Sequence, residues 1–106
     1  MQIQVHYQGL ESSPWMDEFI SSRVQKLSRY LSPAAHIQVH LKMLNNQYVT
    51  SLAVHNFKHD YAYTAQGVNA YESFTAAITK AARTLSEEKR KVKDRIHRKF
   101  GEGLAG

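Results

Sequence analysis

At 106 residues the chain has room for one domain with a single core. Apolar residues make up 42% and charged residues 22%, the balance of a folded chain rather than a disordered one, and the absence of cysteine excludes a disulfide framework, thiolate zinc and a cysteine nucleophile. The net charge of +5 lies entirely in the last quarter: residues 1–79 carry five basic and five acidic side chains, residues 80–106 nine basic against four acidic.

In chain order, Ile3, Val5 and Tyr7 alternate with Gln2, Gln4 and His6, the period-2 signature of a half-buried first strand. After Gly9, Ser13 is placed to cap a helix and Pro14 to open it, with Asp17 and Glu18 near its positive end. Phe19 or Ile20, then Val24, Leu27 and Leu31, form the apolar stripe of that helix, which Ser32-Pro33 ends. A second strand follows from Ile37, Val39, Leu41 and Met43, and Asn45-Asn46-Gln47 reads as a turn. Tyr48 to Phe57 reads as a third strand with Thr50, Leu52 and Val54 inward. Lys58-His59-Asp60 turns the chain into a fourth, whose inner residues are Tyr61, Tyr63 and Ala65. Asn69 is placed to cap a second helix from about Ala70 to Phe100, stopped by Gly101.

The order β-α-β-β-β-α predicts an α+β two-layer sandwich: a four-stranded mixed sheet, its first two strands parallel, with both helices on one face. Residues 1–100 read as one domain and 101–106 as a flexible tail. Some 30 helical residues rise about 45 Å, whereas a strand here spans about 20 Å. The second helix is therefore expected to pack as far as Leu85 and then overhang, carrying most of the charge.

A neutral body with one cationic helix points to a polyanionic partner. Lys80, Arg83, Lys89, Arg90, Lys91, Lys93, Arg95, Arg98 and Lys99 suit a phosphate backbone, since each neutralised phosphate releases counterions. The competing reading is a solvated helix held by Glu87–Lys91 and Asp94–Arg98 pairs, which engage only two of the nine cations. Composition alone leaves nucleic acid, anionic membrane and acidic protein open. Arg23, Lys26 and Arg29 form a smaller basic row on the first helix, and with Lys80 and Arg83 would line one groove if the helices lie side by side.

His6, His40 and His55 fall on the outer sheet face without an accompanying carboxylate or cysteine, so no metal is expected. Tyr7, Tyr61 and Tyr63 point inward by alternation, against base stacking on the sheet; Phe57, at a strand end, is the one candidate. No phosphate loop, nucleophile elbow or zinc-protease motif is present, so no enzyme is expected. The amino terminus lacks the apolar run of a signal peptide, and no segment approaches the ~20 apolar residues needed to span a bilayer. The expectation is a soluble, cytoplasmic protein.

Several segments together carry a resemblance: Met1-Gln2-Ile3, Ser13-Pro14, the run from Arg23 to Arg29, His59-Asp60 at the last hairpin, Tyr71 opening the second helix, and Lys80, Arg83, Leu85, Lys89 and Lys91 along it. In order and spacing the chain, from residue 1 to about 99, resembles the short ribosome hibernation-promoting factor and ribosome-associated inhibitor A family, also called sigma modulation proteins. The resemblance implies the same fold, close to double-stranded-RNA-binding domains. It also implies binding to ribosomal RNA of the small subunit, free or in the 70S ribosome, in the channel for messenger and transfer RNA. Translation would be blocked sterically in stationary phase or stress, without cofactor or small-molecule substrate, by a protein monomeric when free. Carried over by position, Arg23, Lys26, Arg29, Lys80, Arg83, Lys89 and Lys91 become the RNA contacts. Glu87, Ala70 and Ala81 depart from the family pattern, and the resemblance is to the short form, which implies no C-terminal extension of the kind associated with ribosome pairing in the long form.

The sequence leaves two further readings open. A free double-stranded-RNA module needs lysines at the start of the second helix, where this chain has Asn69-Ala70-Tyr71-Glu72. A protein-interaction module would use Val92, Ile96 and Phe100 on the overhang.

Overall fold

The computed structural model describes the backbone of residues 1–105 and the side chains of residues 1–91. Strand β1 (Gln2–Gln8) leads into helix α1 (Pro14–Gln25), which tightens into a 3-10 helix over Lys26–Tyr30. Strands β2 (His36–Leu44), β3 (Gln47–Asn56) and β4 (His59–Gly67) follow, and helix α2 (Ala70–Ala105) ends the chain. The sheet order is β1-β2-β3-β4, with β1 parallel to β2 and the other pairs antiparallel, as the sequence predicts.

Both expected caps form. The Ser13 hydroxyl accepts from the Met16 amide at 3.0 Å, and the Asn69 side chain accepts from the Glu72 amide at 2.7 Å. Each satisfies a donor that the helix itself leaves orphaned. The Asn45-Asn46 turn has both residues at positive φ, 53° and 63°, which is what a two-residue primed hairpin requires. The other hairpin turns one residue earlier than the sequence predicts, with Phe57 in the turn at φ 57°.

The core is built from Met16, Ile20, Val24 and Leu27 of the first helical layer, and from Ile37, Val39, Leu41, Leu52 and Val54 of the sheet. Phe74, Ala77, Ala81 and Leu85 of α2 complete it. Tyr7, Tyr61 and Tyr63 pack against it from the inner sheet face, as alternation predicts. Among the described residues the one buried polar pair is Thr50 and Ser73, whose hydroxyls lie 2.8 Å apart and join β3 to α2; Ser73 Oγ donates onward to the Ala70 carbonyl.

The helical ends differ from expectation. The sequence predicts a first helix that Ser32-Pro33 ends, with Leu31 on its buried stripe; instead its last turn is 3-10, and Leu31 is already extended (φ −125°) and only part-buried. Shortening the turn to i, i+3 bonding satisfies the last carbonyls before the proline stops the helix. Helix α2 passes Gly101 and continues to Ala105. Glycine permits a left-handed stop but does not impose one, its cost inside a helix being only about 1 kcal/mol. Leu85 is the last buried residue of α2 among the described side chains, in keeping with the expected overhang. The side chains of Val92, Ile96 and Phe100, and those of the Asp94–Arg98 pair, lie outside the described residues.

Candidate nucleic-acid interface

Arg23 is exposed on the last turn of α1, and Lys26 and Arg29 are exposed on the 3-10 helix. In a 3-10 helix residues three apart eclipse one another, so Lys26 and Arg29 stay aligned where an α-helix would let them drift. The unpredicted change of helix type therefore straightens the basic row. Two of its members are also held by aromatic faces, Arg23 over Phe19 at 5.2 Å and Arg29 over Tyr30 at 6.0 Å.

This row forms one wall of a groove of about 470 Å³ whose other wall is α2. The lining is Arg23, Lys26, Leu27, Arg29 and Tyr30 on one side and Ile78, Thr79 and Ala82 on the other. The floor is apolar and the rim on the first-helix side cationic. Lys89 of α2 is not part of this lining but reaches its Arg29 end, its Nζ donating to the Arg29 carbonyl.

Lys80 and Arg83 do not line this groove. Lys80 lies two residues, about 200° around the helix, from Ile78, so it leaves on the opposite flank. There its Nζ donates at 3.0 Å to the Thr64 carbonyl of edge strand β4. Lys91, three turns further on, shares that flank by helical spacing. Arg83 projects from the exposed crest between the two flanks. The structure thus divides the seven cations into a groove set (Arg23, Lys26, Arg29, Lys89), a crest (Arg83) and a β4 flank (Lys80, Lys91).

Among the described residues no lysine or arginine lies within 4.0 Å of a carboxylate, and the one close pair is His55 with Asp60. The Glu87–Lys91 bridge of the solvated-helix reading does not form. Like charges gathered without counter-charge repel one another, an arrangement relieved by a polyanion.

The open face of the sheet is different. A larger concavity, about 680 Å³, lies over Gln2, Gln4, His36, Gln38, His55 and Asp60, with no lysine or arginine in its lining. His6 and His40 are register partners across β1 and β2, their rings stacked at 4.6 Å. Among the described residues no three histidine, aspartate or glutamate side chains are placed to hold a metal ion, and no helix is long and apolar enough to cross a membrane.

Residues 3–93, which include α1, all seven cations and all of the sheet but Gln2, match the model of the sigma 54 modulation protein / S30EA ribosomal protein family. The chain belongs to that family. The S30EA family is one of ribosome-associated proteins. Solved structures share the fold described above, among them the following two. The N-terminal domain of Protein Y from Thermus thermophilus superposes with a TM-score of 0.75 at 14% identity, covering 82% of this chain and 98% of that one. A ribosomal subunit interface protein from Coxiella burnetii gives 0.73 at 18% identity, covering 85% and 99%. At such identities the likeness is one of fold alone. No curated protein sequence matches the chain.

The structure also brings together three aromatic residues, of which the family resemblance marks only Tyr71. Trp15, Phe19 and Tyr71 stack at the end where both helices begin. The only local sign in the sequence is the i, i+4 spacing of Trp15 and Phe19; the approach of Tyr71 is a product of tertiary packing.

Proposed function

We propose that this S30EA-family chain is a ribosome hibernation factor. It binds ribosomal RNA of the small subunit in the channel for messenger and transfer RNA, alone or within the 70S ribosome, and blocks translation sterically in stationary phase or stress. The observation that carries the reading is the groove: the exposed cations Arg23, Lys26 and Arg29 line one wall of a channel between the two helical layers, with no carboxylate partner among the described residues. Family membership and the fold shared with a ribosomal subunit interface protein support it.

Arg23, Lys26, Arg29 and Lys89 are the principal phosphate contacts in this reading, with Arg83 beside them on the crest. Lys80 and Lys91 contribute from the other flank, where Lys80 also covers an edge carbonyl of β4. The protein acts in the cytoplasm by occupancy, as a monomer, with no turnover and no small-molecule substrate.

Hydroxyl-radical footprinting of small subunits carrying the protein tests the location. Protection of the messenger and transfer RNA channel, with inhibition of translation in vitro, is expected. Protection confined to the subunit's outer surface contradicts the channel. Duplex RNA that competes as well as ribosomes favours a free double-stranded-RNA module instead.

A further inference from the structure

Trp15 and Phe19, one turn apart on α1, have ring centres 5.6 Å apart and planes inclined by only 7°. Tyr71, on the first turn of α2, stacks on Phe19 at 4.7 Å and on Trp15 at 6.3 Å. Of the three, Phe19 alone is anchored inward, edge-on to the buried Phe74 at 5.7 Å. Trp15 is 63% exposed and Tyr71 45% exposed. Aromatic surface left in water contributes little to folding, and where it is contiguous it marks a contact surface.

The stack is continuous with the groove. The Arg23 guanidinium lies over the Phe19 ring, and Arg23 heads the basic row of the groove wall. Aromatic faces for bases, followed by cations for phosphates, are the two components of a surface for single-stranded nucleic acid. A double helix hides its base faces, and an apolar peptide has no use for the cations.

We propose that the Trp15–Phe19–Tyr71 stack is a base-stacking platform. It takes an unpaired nucleobase of single-stranded RNA, while Arg23 and the row beyond it hold the adjoining phosphates. The proposal rests on the reading of the groove as an RNA surface, and adds bases to what would otherwise be a purely ionic contact.

Trp15 is the sole tryptophan, so its fluorescence reports on the platform alone. At low salt the protein is titrated with a short single-stranded RNA and with an abasic ribose-phosphate oligomer of the same length. The RNA is expected to quench Trp15 saturably, and the abasic oligomer to bind, by anisotropy of an end label, without quenching. Trp15→Leu is expected to weaken RNA binding about tenfold, in line with the loss of one base stack, and Trp15→Phe to restore most of it. Neither variant changes affinity for the abasic oligomer. Tyr71→Leu, on the other helix, gives a second measure if Trp15→Leu loses its native circular dichroism. Equal affinity for the two oligomers without quenching overturns the platform and leaves the ionic groove intact. Failure of the RNA to bind overturns the platform as well, and sedimentation with small subunits then judges the groove separately.

Discussion

Phe57 is a phenylalanine at φ 57° in the β3–β4 turn, 75% exposed, in a backbone conformation that glycine adopts freely and L side chains pay for. The left-handed penalty is about 1–2 kcal/mol, partly offset when glycine replaces it because the unfolded chain gains freedom. Phe57→Gly is therefore expected to stabilise the fold by up to about 1 kcal/mol in a urea titration, and a loss of stability would mean that the ring makes contacts worth more than the strain. The sequence marks Asn45-Asn46 as a turn because asparagine tolerates positive φ. It does not mark Phe57, whose type suggests a strand, and so the turn is displaced by one residue. Tyr7 carries a prediction of pH dependence. Burial, and then its hydroxyl's bond to Asp17 Oδ1 at 2.5 Å, push the phenol's ionisation well above its ordinary range. A raised native pKa means that the protonated form stabilises the fold; the contribution is complete below about pH 10 and is lost as pH rises through the native value. Tyr7→Phe should lose stability less steeply than the wild type above that pH, and parallel alkaline limbs would contradict the assignment.

Helix α2 is fixed on the sheet at two close contacts. A Cβ on Gly67 would lie 2.6 Å from the Ser73 amide nitrogen, where nothing but backbone could move aside. Gly67→Ala is expected to destabilise the protein, and a neutral result would mean that the start of α2 yields easily. The buried Thr50–Ser73 hydrogen bond lies beside it. Ser73→Ala orphans the Thr50 hydroxyl and should cost about 1–3 kcal/mol, whereas Thr50→Val combined with Ser73→Ala should cost less than the sum of the single changes. Additive losses would show that the pair is not coupled. The strands, their order and both caps were legible because alternation, caps and turn residues are local signals. The 3-10 turn and the direction of Lys80 were not. One depends on how the chain must close before Pro33, the other on which flank of α2 meets β4. The basic row was legible as spacing, but its partner across the groove was misplaced, because Ile78, Thr79 and Ala82 face it and Lys80 and Arg83 do not.

A neutral α+β body with its excess charge on one long helix has its cations distributed over two flanks and a crest, and the groove set is the one that spans two elements. The charge sum, legible from the sequence alone, indicates the class of partner; only the fold separates cations that face a common channel from one that covers a strand edge. Co-sedimentation of purified protein with small ribosomal subunits across a salt series, comparing Lys26→Glu/Arg29→Glu with Lys80→Glu/Lys91→Glu, tests that separation most directly. The wild type should bind with affinity falling steeply as salt rises. The groove pair should lose most binding, and its log–log salt slope should flatten by roughly 0.7–0.9 for each phosphate contact removed, while the β4-flank pair loses less. Unchanged binding by the groove variant, or a larger loss from the β4-flank variant, would contradict the account.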